Sequence, residues 1–218
     1  MKINWYGHSA FHILTNQGTR IIIDPYKSGA FNNALVYGPI KDKADIVITS
    51  HDHEDHNYTG DIQGKYTLIN KAGAYEIKDV KIKAIPTFHD PSEGKERGRN
   101  LVSMIKADNL ALVHLGDLGH NLDATLLKEI GKVDILFLPV GGFFTIDALV
   151  ATEVMNAIKP IITIPMHYKT EKCDFPIAPV EDFTKGKKNV RMLYHFDVSI
   201  EKETLPKEAE IIILEYSL

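Results

Sequence analysis

Three imidazoles and three carboxylates fall within six residues, His51-Asp52-His53-Glu54-Asp55-His56. Inside a helix or strand core each of these charges would need a buried partner, so the run belongs on a loop. The stretch before it, Ala44-Asp45-Ile46-Val47-Ile48-Thr49, reads as a buried strand. The fold must therefore present a dense polar loop just past the carboxyl end of a strand. The core spacing, H-x-H-x-D-H, is also metal-ligand chemistry, because imidazole nitrogen suits zinc and serves manganese, iron and nickel as well.

Further strands are expected at Lys2–Tyr6, Ala10–Leu14, Arg20–Ile23, Tyr66–Ile69, Val80–Pro86, Leu101–Ala107 and Ala111–Leu115. Asp108-Asn109 between the last two reads as a hairpin turn. Leu122, Leu126, Leu127 and Ile130 share one face of a helix over Asn121–Ile130, and Val150, Val154 and Ile158 mark a second over Asp147–Ile158. Strands at Val133–Leu138 and Ile161–Pro165 bracket that second helix, and Ile211–Tyr216 closes the chain as a strand. Hairpins early and strand–helix–strand units late predict one α/β domain over residues 1–218, with sheets face to face and helices outside.

Composition excludes several classes. A formal net charge of -4 argues against nucleic acid as a partner. Cys173 is the only cysteine, which rules out an intrachain disulfide and a multi-thiolate metal site. No apolar run reaches the roughly 18 residues of a membrane span. Met1-Lys2-Ile3-Asn4-Trp5 alternates like a strand and lacks the long apolar region of a secretory leader. A cytoplasmic protein acting on a small molecule is the expectation.

His51-x-His53-x-Asp55-His56 resembles the metal motif of the metallo-β-lactamase superfamily, and the other motifs follow in chain order. Asp24 stands in Ile23-Asp24-Pro25, His89 in Thr87-Phe88-His89-Asp90, Asp117 in Gly116-Asp117-Leu118-Gly119-His120, and His167 in Pro165-Met166-His167-Tyr168. Each of these four directly follows an apolar strand or sits a few residues beyond one. Trp5-Tyr6-Gly7-His8-Ser9, Gly94–Asn100 and Pro139-Val140-Gly141-Gly142 are similar to the small UlaG-like branch of Zn-dependent hydrolases. The resemblance runs from residue 1 to about residue 183. It implies a four-layered αβ/βα sandwich with two divalent cations at one edge, zinc first, with manganese or iron also suited. His51, His53 and His89 would hold one cation, Asp55, His56 and His167 the other, and Asp117 would bridge.

On that resemblance the chain is a metal-dependent hydrolase, in which a hydroxide bridging two metals attacks an ester, lactone, amide or phosphoester bond. Asp55 and Asp117 take catalytic roles, and His8 and His120 are candidates for substrate contact or proton transfer. Asp24 is expected to hold a ligand imidazole in its tautomer. A charge-rich glycine loop such as Glu93–Arg99 is ordinarily just solvated; directly after His89, its Lys95, Arg97 and Arg99 are also placed to steer an anionic substrate. The alternatives are a metal-dependent nuclease or phosphodiesterase, and a noncatalytic metal- or ligand-binding protein on the same fold.

Overall fold

Apolar residues two apart along a strand point to one face of a sheet, and the first strands are apolar on both faces. The computed structural model describes all 218 residues. Strands β1 (Lys2–Gly7), β2 (Ala10–Leu14), β3 (Arg20–Ile23), β4 (Ile46–Ile48) and β5 (Thr67–Ile69) belong to a six-stranded sheet. The second sheet takes β6 (Gly73–Ile77), β7 (Val80–Phe88), β8 (Arg99–Ala107), β9 (Leu110–His114), β10 (Ile135–Pro139), β11 (Ile162–Met166), β12 (Val190–Met192) and β14 (Glu210–Ile213). β13 (Asp197–Ser199) returns to the first sheet, whose order is β13-β1-β2-β3-β4-β5. The second runs β12-β14-β11-β10-β9-β8-β7-β6.

Ile3, Trp5, Phe11, Ile13, Ile21, Ile23, Ile46 and Ile48 project from the first sheet into a core shared with Val102, Leu112, Phe137 and Ile164 of the second. The alternate residues, Tyr6, Ala10, Ile22 and Val47, face outward into a separate cluster with Tyr26, Leu35, Tyr37 and Phe175. The layer over this outer face is therefore built from connecting segments. Within it lies α1 (Ala30–Asn33), a four-residue turn whose Phe31 and Asn32 are left-handed. The outer layer of the second sheet is helical: α2 (Ala124–Ile130) and α4 (Val180–Thr184) flank α3 (Ala148–Ile158), which buries Ala151, Val154 and Ile158. No helix is long and apolar enough to cross a membrane.

Several element boundaries differ from the sequence expectation, each for a local reason. Both helices start later than periodicity suggests, because Asp123 and Asp147 are caps whose carboxylates accept from the amides of Leu126 and Val150. The last strand ends at Ile213. β6, β12 and β13 carry weak apolar patterns and exist through pairing: β6 with β7, β12 with β14, β13 with β1. The Asp108-Asn109 hairpin has positive φ at both residues, 51° and 61°, as a type I′ turn requires.

One end of the sandwich is tied by short polar links between the sheets. Thr15 Oγ1 donates to Asp79 at 2.7 Å, the Asn16 amide donates to Asp108 at 2.9 Å, and the Met1 amine lies 3.4 Å from Asp108. The other end carries the histidines.

Candidate metal centre

β1, β3, β4, β7, β9 and β11 deliver their carboxyl ends to the same edge. Beyond them lie His8, Asp24, the His51–His56 loop, His89, Asp117 and His167. Three of these residues leave their strands through left-handed backbone, His8 at φ 53°, Asp24 at 45° and His167 at 52°. That conformation costs about 1–2 kcal/mol for a residue with a β-carbon, and it recurs where side chains must be aimed into a site.

Asp117 is the hub. Its Oδ2 lies 3.1 Å from His89 Nε2, 3.3 Å from His167 Nε2 and 3.8 Å from His51 Nε2. Its Oδ1 faces His56 Nε2 at 3.2 Å. His53 joins through a 2.9 Å approach of its Nδ1 to His51 Nε2. Asp55 comes in from the other side, 3.6 Å from His56 Nε2. The donor atoms fall into converging sets: His51, His53 and His89; His51, His56 and Asp117; and His8, Asp55, His56 and His167, each set within 4.8 Å of itself. All seven ligand positions expected from sequence are thus brought together.

Several of these buried atoms have no hydrogen-bond partner: His56 Nε2, His89 Nδ1, His167 Nδ1, Asp55 Oδ1 and Asp117 Oδ1. An unpartnered buried polar atom costs about 1–3 kcal/mol. His56 Nε2 and Asp117 Oδ1 meet at the hub, and His89 and His167 turn their Nε2 atoms to the same carboxylate; nitrogen and carboxylate oxygen gathered in this way are the donor chemistry of a divalent cation site. The residues present fit the metals that the motif implies.

The supporting groups fix which nitrogen of each ring faces inward. Asp24, fully buried, accepts from the Ser50 amide and hydroxyl at 2.7 Å each and pairs with His56 Nδ1 at 2.9 Å. His56 Nδ1 therefore carries the proton and Nε2 offers its lone pair. Ser50 Oγ, having donated to Asp24, accepts from His51 Nδ1 at 2.9 Å, which leaves His51 Nε2 without a proton in the same way. Asn100 anchors the hub: its Oδ1 accepts the Asp117 amide, and its amide nitrogen donates to Thr87 and to the Leu115 carbonyl. Gly119 packs so close to His89 that a β-carbon there would overlap the His89 backbone.

In the metal-free chain burial opposes charge on all these groups, and neighbours decide the outcome. Burial and the adjacent His56 charge pull His51 down to about 3; burial and His167 pull His8 down to about 4. Burial also works against ionised Asp117 and Asp55. The imidazoles of His167 and His56 outweigh it at Asp117, those of His56 and His8 at Asp55, so both carboxyls stay well below the usual range. His56 moves the other way, since Asp117, Asp55 and Asp24 overcome its burial and hold it well above an ordinary histidine. A cation bound at this point would take the place of that proton.

The two candidate proton-transfer histidines part company. His8 stands behind Asp55, with Nε2 3.1 Å from Asp55 Oδ2 and its ring 4.1 Å from that of His167. His120 is not brought to the cluster. Its Nε2 accepts from the Phe88 amide and its Nδ1 donates to the Asn121 carbonyl, so both ring nitrogens serve the backbone. Ser50, Asn100 and Asp90 were missed by sequence reasoning. Asp90, also buried, accepts from the amides of Ser92, Gly94, Glu96 and Arg97 and so shapes the loop after His89.

A cavity of about 300 Å³ opens on the cluster, with His53, Asp55, His89, Asp117 and His167 in its floor. A wider groove of about 980 Å³ lies at the opposite end of the second sheet, between Asp79, Lys106 and Lys202. Its lysines and carboxylates line an open trough without converging on any point, so volume alone does not make it the reactive site.

Residues 2–167 match the family model of the β-lactamase superfamily domain. A UPF0173 metal-dependent hydrolase from Thermococcus onnurineus is 31% identical over 195 residues, covering 78% of this chain and 85% of the relative. A protein from Thermotoga maritima, described as a candidate Zn-dependent hydrolase of the metallo-β-lactamase superfamily, is 33% identical, with 98% of each chain covered and a TM-score of 0.82. A metallo hydrolase from Ignicoccus hospitalis shares the fold at 23% identity, with a TM-score of 0.68 over 100% of this chain and 96% of that one.

Proposed function

The chain belongs to the metallo-β-lactamase superfamily and is a metal-dependent hydrolase, and from that premise we propose that its His/Asp cluster holds two divalent cations. The observation that carries the proposal is the convergence of buried imidazole nitrogens and carboxylate oxygens around Asp117. His51, His53 and His89 would form one half, Asp55, His56 and His167 the other, with Asp117 between them. Five nitrogens and two carboxylates favour zinc, and the oxygen content also accommodates manganese or iron. When bound, two such cations acidify water and polarise a carbonyl or phosphoryl oxygen.

The chain's own groups supply the rest. Asp24 and Ser50 hold His56 and His51 in the tautomers that turn Nε2 to Asp117. His8, bonded to Asp55 Oδ2, leaves Asp55 Oδ1 without a competing partner. His8 is therefore a positioning residue for Asp55. Asp55 and Asp117 line the cavity and are the carboxylates we assign to the catalytic step, ionised beside the reacting bond. The substrate is a small molecule with an anionic group, cleaved at an ester, lactone, amide or phosphoester bond.

Purified protein should contain about two equivalents of divalent metal and hydrolyse generic esters or phosphodiesters in a chelator-sensitive way. A folded protein that binds no divalent metal, and whose Asp117→Ala variant behaves identically in every assay, would overturn the assignment.

A further inference from the structure

The walls of the reactive cavity are chemically opposite. On one side stand Phe31, Phe144 and Phe175, with Phe31 and Phe144 each set edge-on to Phe175 at 5.4 and 5.5 Å between ring centres. Phe31 is 46% exposed. Its segment is left-handed at Gly29, Phe31, Asn32 and Asn33, with φ between 53° and 79°. Residues with a β-carbon avoid that region, and holding an exposed aromatic ring there does nothing for the core. The strained turn instead sets the ring at the cavity mouth.

On the other side is Arg97, which also lines an adjoining cleft of about 470 Å³ together with Lys71 and Arg99. His53 borders both spaces, so the metal cluster sits where they meet. None of the three cations forms an ion pair or a side-chain hydrogen bond within the chain, whereas the carboxylates on the same walls are engaged, Asp52 by Asn57 and Glu96 by Ser92. Asp90, bonded to the Arg97 amide, keeps the loop that carries this guanidinium in place. Unpaired guanidinium groups beside an open cleft are suited to phosphate oxygens.

We propose that these walls form a two-armed substrate site. Phe31, Phe144 and Phe175 seat a compact apolar group, an aryl ring or short branched chain, while Arg97, Arg99 and Lys71 seat a phosphate-like anion. The inference rests on the hydrolase reading above and adds the substrate class: an anionic ester or amide with one small apolar arm, its reactive bond lying where the arms meet beside Asp117. A cavity of about 300 Å³ is at the small end for ligands, which excludes a long acyl chain.

The test is calorimetric binding of benzylphosphonate and methylphosphonate to the metal-loaded protein. Burying one ring predicts that the benzyl compound binds roughly 30-fold more tightly. Phe31→Ala, at an exposed position whose loss the fold tolerates, and Phe144→Ala should each cut that ratio to about threefold. Arg97→Met should weaken both phosphonates about tenfold and leave the ratio standing. A ratio near one in the unaltered protein, a ratio untouched by both phenylalanine variants, or unchanged phosphonate binding by Arg97→Met would each overturn the two-armed site. Intact chelator-sensitive hydrolysis with a ratio near one sinks the site alone. The expected ratios without any metal-dependent hydrolysis sink the hydrolase reading and leave the site standing.

Discussion

Asp24→Asn separates the hydrogen-bonding role of one buried carboxylate from everything else at its position. Asp24 has φ 45°, and asparagine tolerates left-handed backbone as well as aspartate does, so the main chain is undisturbed. The Ser50 amide can still donate to the side-chain oxygen. At the second oxygen, where Ser50 Oγ and His56 Nδ1 both meet Asp24, an NH₂ group would now stand. His56 Nδ1–H would confront another donor, and the ring can escape only by moving its proton to Nε2. That nitrogen is the one facing Asp117 at 3.2 Å, so the lone pair meant for a cation is lost. Loss of such a supporting carboxylate typically costs about 10–100-fold in metal affinity, or about 1.4–2.7 kcal/mol. Only the half of the cluster containing His56 should suffer. Competitive titration of metal-free protein with a chromophoric chelator resolves this: two tight equivalents in the unaltered protein, one tight and one weakened in Asp24→Asn. Equal affinity for both equivalents in the variant would show that Asp24 does not set the His56 tautomer.

Two further predictions concern the surroundings of the site and the general stability. Asp90→Ala removes the acceptor shared by four loop amides, so hydrogen exchange at Ser92, Gly94, Glu96 and Arg97 should accelerate while amides of β8 and β9 keep their protection; unchanged loop exchange would refute the role given to Asp90. Asp45 is held well below the usual carboxylate range, first by the Arg20 guanidinium and then, against its burial, by Lys78. Its folded value lies below its unfolded value near 3.9, so its contribution, about 1–2 kcal/mol, is complete above about pH 4 and drains away as pH falls toward the folded value. Urea denaturation at pH 7 and pH 2.5 should show Asp45→Asn less stable at pH 7 and the gap to the unaltered protein narrower at pH 2.5; a constant gap would contradict the assignment.

The cluster was legible because each of its residues follows a strand whose apolar pattern is local, and residues past carboxyl ends of neighbouring strands share an edge. His51–His56 after β4, His89 after β7 and His167 after β11 are of this kind. Asp24 in Ile23-Asp24-Pro25 was readable for the same reason. Asn100 was hidden: its partner Asp117 lies 17 residues away, and an asparagine at the end of a charge-rich stretch looks like any other polar residue. The aromatic wall was hidden too, since Phe31, Phe144 and Phe175 come from three loops and only tertiary packing makes them one surface. His120 shows the opposite failure. Three residues beyond Asp117 it shares a motif with the hub, yet the turn sends its ring to the Phe88 amide.

The seven residues of the cluster are divided between the layers. His51, His53, Asp55 and His56 hang from the first sheet, whereas His89, Asp117 and His167 hang from the second. Opposite them, Thr15, Asn16 and the Met1 amine reach across to Asp79 and Asp108 with ordinary hydrogen bonds and charge. The sandwich is built like a bound volume, with a permanent spine at one end and a clasp at the other. Cations held by the cluster would be the clasp, because each would draw ligands from both covers. Without them the spine would still hold, so any parting of the sheets would begin at the edge where the cavity opens.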